Sequence, residues 1–263
     1  MVKRALRYLG HKVIGRAVLL HSFWRIAVVS LGSFVFRFRR NRAAADVLLK
    51  QIYFTGFQAI PIISWIAVIL GLVIVTQSLS ILPKVGGEHM IGEVLVWVVV
   101  RELGPVFAAV IVIARSGTAI AAELGSMRIS REITALEVMG IDPMRYLVMP
   151  RVIGTAVSVF ILTFYFETVT ILGGYLLAGF GKRVAFPVYI SSVLESMGFL
   201  EVGASLLKSV LFGLIIGVVC SAHGLMVEKS ITRIPQETTN AVIGSLRLVF
   251  VMDAVITFMF FYI

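Results

Sequence analysis

The chain has 263 residues, 59% of them hydrophobic and only 14% charged, with a mean hydropathy of +0.99. Soluble domains carry about 25% charged residues, so this composition excludes a soluble globular fold and predicts a membrane domain with short loops. The net charge of +10 is uneven: eleven of the 24 Lys and Arg residues fall between Lys3 and Lys50, interleaved with apolar ones, which suits a membrane-facing cytoplasmic segment and not a nucleic-acid surface.

In chain order, residues 1–50 read as a basic interfacial segment. Arg7, Lys12 and Arg16 interrupt any apolar core of a cleaved signal peptide. Leu20, Phe23, Trp24, Ala27, Val28, Leu31, Phe34 and Val35 then follow the i, i+3, i+4 spacing of one helical face. Arg25 at mid-bilayer would cost about 2.5–3.5 kcal/mol, and arginines flank both ends, so the pattern predicts a helix at 17–36 lying in the plane of the interface. Residues 51–263 read as one all-α membrane domain with five spans, at about 60–82, 94–121, 152–180, 205–225 and 241–262. The 122–151 loop carries Arg128, Arg131, Arg145 and Arg151, and the 226–240 loop carries Lys229 and Arg233. The opposite loops hold little more than Lys84, Lys182 and Arg183, so the positive-inside rule places the N-terminus in the cytoplasm and Ile263 outside.

No phosphate-binding loop of the G-x-x-x-x-G-K-[ST] type is present; Gly179-Phe-Gly-Lys182 lacks its spacing and its hydroxyl. His11, His21, His89 and His223 are scattered, and Cys220 stands alone, so neither a metal site nor an internal disulfide is expected. The informative features are charges at membrane depth: Arg101 and Glu102 in the second span, Glu167 in the third, Lys208 in the fourth and Asp253 in the fifth. Such residues mark either function or a structural ion pair, such as Asp253 with Lys208 or Arg247. Neighbours on a helix point about 100° apart, so Arg101 and Glu102 are not expected to neutralise each other. Pro105 removes the amide that would bond the Arg101 carbonyl, which opens the helix beside them and suits the wall of a polar cavity.

The 122–151 loop contains a complete short helix. Ser130 is a natural N-cap, Glu132 lies in the first turn, Gly140 is a natural C-terminal stop and Asp142-Pro143 ends the element. Its apolar edge of Ile133, Leu136 and Met139 suits a docking element, or equally a helix resting on headgroups. Small residues at four-residue spacing (Gly117, Ala121 and Gly125; Gly213 and Gly217) permit a tight homodimer.

At Arg101-Glu-Leu-Gly-Pro-Val106, and again through the run from Ala122 to Val152, the chain resembles the MlaE (YrbE) family of ABC-transporter permeases. Lys208-Ser209 with Phe212-Gly213, Thr238-Thr239 and Asp253 extend the resemblance, while Ile234-Pro-Gln-Glu237 departs from a Gly-rich stretch usual in the family. The resemblance implies a homodimeric inner-membrane permease that moves phospholipids between the two membranes of a diderm bacterium. It further implies cytoplasmic ATPase subunits, which would hold ATP and magnesium, and a periplasmic MCE-domain lipid-binding protein. The helix bearing Glu132, Ile133, Leu136, Glu137, Met139 and Gly140 would correspond to the coupling helix that seats in the ATPase. Arg101 and Glu102 would lie near the lipid cavity, with Ile69, Leu72, Val73, Val75 and Leu79 of the first span as its apolar wall. A proton-coupled transporter using Glu102, Glu167 and Asp253 is the alternative.

Overall fold

The computed structural model describes residues 42–87, 90–178, 185–227 and 230–261. The interfacial helix expected at 17–36, together with Lys182, Arg183, Lys229 and Ile263, lies outside the described residues. Helix α1 (Arg42–Thr55) passes through a short turn at Phe57–Ala59 into α2 (Ile60–Ile81). Pro61 sits in the first turn of α2, where its missing N–H leaves no helical bond unmade. Next come α3 (Ile91–Ile129), the short α4 (Glu132–Val138), α5 (Met149–Ala178) and α6 (Phe186–Ser196). The chain ends on α7 (Phe199–Leu225) and α8 (Ile234–Phe261). Five helices are long and apolar enough to cross a membrane, and there is no strand among the described residues.

Sequence alone placed the second span at about 94–121, whereas α3 runs 39 residues to Ile129. At 1.5 Å per residue that is roughly 58 Å, against about 30 Å of hydrocarbon, so α3 extends well beyond the apolar layer. Two wide turns interrupt it, at Val96–Leu103 and Ile113–Gly117. The first precedes Pro105, which lacks an amide: the Gly104 N–H reaches back five residues to the Val99 carbonyl. Beside the second, the Thr118 hydroxyl donates to the carbonyls of Ala114 and Arg115, at 3.0 and 2.8 Å. Helix α6 is an element the hydrophobic periodicity did not reveal. It is strapped to the bundle by Gly92 N–H donating to Ser192 Oγ (3.1 Å) and by Tyr189 Oη–H donating to the Ile171 carbonyl (3.1 Å).

Inside a bilayer the surrounding lipid is as apolar as leucine, so helices associate through close packing and not through escape from water. Small residues provide that packing here. Gly71 of α2 meets the Thr170 carbonyl of α5 with no room for a methyl group, and a methyl on Gly174 would stand 2.5 Å from the Gly71 carbonyl oxygen. Methyl groups on Gly213 and Gly217 of α7 would stand 2.5 and 2.7 Å from the Cα atoms of Ala156 and Val152 on α5. On Gly117 and Gly125 of α3 they would meet Cys220 and Val227, each at 2.9 Å. Both glycine stripes that were compatible with a dimer are thus taken up by contacts within the single chain. Helix α5 is the hub and α8 the outlier: 78% of the apolar stretch of α5 is buried against 17% for α8. The start of α1, α4 and the α7–α8 connection share one end of the bundle; the α2–α3 connection and α6 share the other.

Ser130 does not cap α4. It ends α3, and Arg131, at φ 60°, makes the reversal into α4 without a side-chain cap. Gly140 adopts φ 75° and closes α4, with Ile141 N–H donating to the Leu136 carbonyl (2.9 Å) and Gly140 N–H to that of Glu137 (3.0 Å).

Candidate functional site

Lys208 of α7 is fully buried in the middle of an apolar bundle. An ammonium has three N–H bonds and no acceptor. Here they reach the Arg101 carbonyl at 3.0 Å, Glu102 Oε2 at 2.7 Å and Thr257 Oγ1 at 2.7 Å. The first of these acceptors is the carbonyl that Pro105 leaves without its helical partner, so the open turn in α3 and the buried lysine in α7 satisfy one another. Asp253 Oδ1 stands 2.8 Å from the same nitrogen and forms a second ion pair with it. The Thr257 hydroxyl in turn donates to the Glu102 carboxylate at 3.1 Å.

Arg101 completes the cluster. Its guanidinium lies 4.9 Å from the centre of the Trp97 ring, and its Nε lies 3.7 Å from Glu102 Oε1. The expectation that adjacent residues would not meet is therefore corrected: within the wide turn the two long side chains converge. Two cations, Arg101 and Lys208, balance two carboxylates, Glu102 and Asp253. The balance matters because several kcal/mol of desolvation per ion must be offset by partners. The cluster is not sealed. The Glu102 side chain is 33% exposed and that of Asp253 18%, against 10% for Arg101 and 0% for Lys208, so an incoming charged group would first meet Glu102.

Glu167 stands apart from the ion pairs. It is buried on α5, and its Oε1 accepts from the Ser205 hydroxyl at 2.6 Å. Gly104 makes the space, since a methyl there would stand 2.7 Å from Glu167 Cγ and Oε1. Of the proposed apolar wall, Leu72 is half-exposed, as are Ile69 and Val73. Val75 and Leu79 are buried within the chain, packed with Ile91, Leu95, Tyr189 and Val193. They share the face of Ile63, Ala67 and Gly71 that the Gly71–Gly174 contact presses onto α5.

At the α4 end the apolar edge divides. Ile133 is buried and Leu136 half-buried against the bundle, while Val138 (83% exposed) and Met139 (64% exposed) point away from it beside Ile141. Glu132 and Glu137 are exposed. The helices on either side of α4 are tied together by Arg151 of α5, whose guanidinium donates to Glu123 Oε1 of α3 (2.8 Å) and to the Leu147 carbonyl (3.0 Å). The sequence reading missed Trp97, Ser205, Thr257 and Val138. Trp97 and Thr257 each lie four residues from a charge already singled out, Arg101 and Asp253, which is the spacing of one helical face.

The family described as Permease MlaE matches residues 48–259. A probable ABC transporter permease protein of Rickettsia prowazekii (strain Madrid E) is 31% identical over 216 residues, which is 82% of this chain and 83% of that protein. A probable ABC transporter permease protein of Synechocystis is 32% identical over 213 residues, 81% of each chain. The intermembrane phospholipid transport system permease protein MlaE of Haemophilus influenzae is 27% identical over 216 residues, 82% of this chain and 83% of that one. The match spans all five apolar helices, the Arg101–Glu102–Lys208–Asp253 cluster and α4 together, and the chain belongs to the MlaE permease family of ABC transporters.

Proposed function

We propose that this permease moves phospholipids between membranes and that a separate ATPase supplies the energy. The observation that carries the reading is the charge-balanced cluster of Arg101, Glu102, Lys208 and Asp253, set in an apolar bundle and open at Glu102, beside the buried Arg101. A phospholipid needs apolar surface for its tails and paired charges for its head. A headgroup phosphate would compete with Glu102 for Arg101, and a bidentate contact of that kind is stronger than a neutral hydrogen bond. The ATPase reading is supported by α4, which leaves Val138 and Met139 uncovered at the end of the bundle, between two helices that the Arg151–Glu123 pair ties together. The name of the Haemophilus influenzae relative points to the same substrate.

In this reading the N-terminus and α4 face the cytoplasm, and ATP and magnesium belong to the partner ATPase. The outer end meets a periplasmic MCE-domain protein. A second copy covers α8, whose apolar face is the least packed of the five. ATP binding would push on α4, and the clamp would pass that motion into α3 and α5 as a rigid-body shift.

The test is bound phospholipid per folded copy, measured with thermal stability in Arg101→Ala and Glu102→Gln. A charge-assisted contact is worth about 1.5–3 kcal/mol, so Arg101→Ala is expected to weaken lipid retention roughly 10- to 150-fold. Normal lipid content with lowered stability in both variants would reduce the cluster to a structural ion pair.

A further inference from the structure

Arg115 occupies the second wide turn of α3 and plays no part in the site described above. Its Nη1 donates to the Phe54 carbonyl and its Nη2 to Gln58 Oε1, each at 2.6 Å. Both acceptors are neutral, so they fix the guanidinium without cancelling its charge. Arg115 forms no ion pair among the described residues. Residues 1–41 contain neither Asp nor Glu to supply one. The nearest carboxylate along α3, Glu123, is engaged by Arg151.

Depth makes this imbalance significant. Arg101 and Arg115 are 14 residues apart on one helix, about 21 Å at 1.5 Å per residue. The hydrocarbon layer is about 30 Å thick, so with the Arg101 cluster inside it Arg115 lies towards its opposite boundary, on the α4 side. Among the described residues the Arg101 level is neutral in sum, whereas Arg115 has no carboxylate partner. Ionisable residues at such depth pair or mark a ligand path. Exposed aromatic rings lie at the junction of α1 and α2, on the segment whose Phe54 carbonyl Arg115 engages. Tyr53 stacks on Phe57 with ring centres 5.4 Å apart, and Phe54 meets Tyr53 edge-on at 5.7 Å. Rings of this kind collect at headgroup level.

We propose that Arg115 is a docking site for the phosphate of a membrane phospholipid, in the half of the bilayer nearer α4. A guanidinium has five N–H donors; Phe54 and Gln58 engage two, and three remain for a half-exposed group to offer to phosphate oxygens. Arginine is suited to this because its planar fork matches two of those oxygens at once. The membrane itself supplies the missing counter-charge, and the lipid would be held beside α1 and α2 at a level separate from the Arg101 cluster. The choice of a lipid as ligand rests on the phospholipid reading above.

The test uses the full chain, isolated with whatever subunits accompany it and depleted of native lipid. Binding of dioleoyl phosphatidylglycerol is followed by native mass spectrometry, with dioleoylglycerol as the phosphate-free control. The wild type is expected to prefer the phosphatidylglycerol, and excess inorganic phosphate should not displace it. Arg115→Gln should weaken one binding event roughly tenfold or more. Arg115→Lys should weaken it less, and Gln58→Met, which loosens the guanidinium without removing it, should fall between Arg115→Lys and the wild type. Unchanged binding in Arg115→Gln and Gln58→Met overturns the proposal, and displacement by inorganic phosphate overturns its lipid assignment. A loss of subunit association at constant lipid binding would mean that Arg115 meets a carboxylate of a second copy, which also overturns it. Arg101→Ala keeps the two readings apart. If Arg101→Ala alone loses lipid, the transport reading stands and this one fails; if Arg115→Gln alone does, the reverse holds.

Discussion

Replacing Lys208 by Met removes one ammonium and keeps nearly the same side-chain length. Three hydrogen bonds vanish together, to the Arg101 carbonyl, Glu102 and Thr257. The Arg101 carbonyl is then buried without a partner, which costs about 1–3 kcal/mol. Glu102 and Asp253 are left facing one another with only Arg101 to balance them, and breaking a buried pair from one side costs about 3–5 kcal/mol. Glu102 is partly exposed and can recover some hydration, so the sum is of order 4 kcal/mol. Spread over a chain of this size, that is a fall in Tm of order 10 °C. The combination Lys208→Met, Glu102→Gln, Asp253→Asn removes all three charges and leaves Arg101 as a lone cation, whereas Lys208→Met with Asp253→Asn keeps the Arg101–Glu102 pair. The double variant should therefore recover most of the loss and the triple variant less. Thermal unfolding in detergent, followed by size-exclusion of the heated sample, checks the order. A single variant as stable as the wild type, or a double variant no better than the single, would refute the charge-balance argument.

Gly71→Ala should lower stability by at least 1–3 kcal/mol, the usual penalty of overpacking, because backbone and not a pliable side chain stands in the way. Gly203→Ala, with open space around it, should be neutral or gain up to about 1 kcal/mol; equal effects in a thermal-shift comparison would discredit the α2–α5 contact. At the α4 end, Val138→Asp with Met139→Asp should fold normally and lose ATPase association, whereas Ile133→Asp should fail to fold, since only Ile133 is buried. Membrane yield and copurified ATPase activity separate the two, and full association in the double variant would remove α4 from the docking role. The Arg151–Glu123 clamp predicts an asymmetry. Arg151 is buried and Glu123 half-exposed, so Glu123→Ala strands a cation and should cost about 1–3 kcal/mol, more than Arg151→Met, after which Glu123 rehydrates. The opposite order in unfolding measurements would contradict the burial assigned to the pair.

Long apolar runs and the Arg101–Pro105 motif made the five spans and the opened turn legible in the sequence, because both depend on local chemistry: hydrophobic length and a missing amide. Asp253 with Lys208 was one of two pairings the residues allowed, and folding selected it. What the sequence did not disclose depends on distant segments. Nothing local to Val75 and Leu79 distinguishes a lining residue from a packed one; the decision is made by Gly71 meeting Gly174, a hundred residues away. Met139 and Ile133 share an apolar edge in a helical wheel, yet α4 ends at Val138, so Met139 stands past its last turn and is exposed while Ile133 is buried. Ser130 carries the right side chain for a cap, but it is taken up as the C-terminal stop of α3, and the reversal at Arg131 stands at the start of α4 instead. Helix α6 escaped notice because it buries only a narrow face, through Tyr189 and Val193, and leaves Phe186, Val188 and Leu194 exposed, so its pattern resembles neither a span nor an ordinary amphipathic surface helix.

Transport driven by a separate ATPase is the claim on which the rest depends, and it is tested by isolating the permease gently from its native membrane. The isolated assembly is reconstituted in vesicles, and transfer of a fluorescent phospholipid to acceptor vesicles is followed. The account predicts that an ATPase chain accompanies the permease, that transfer requires hydrolysable ATP, and that Arg101→Ala lowers it while leaving the assembly intact. Transfer that proceeds without nucleotide and follows an imposed proton gradient instead, with Glu102→Gln or Asp253→Asn abolishing it, would contradict the account and establish a proton-coupled carrier in its place.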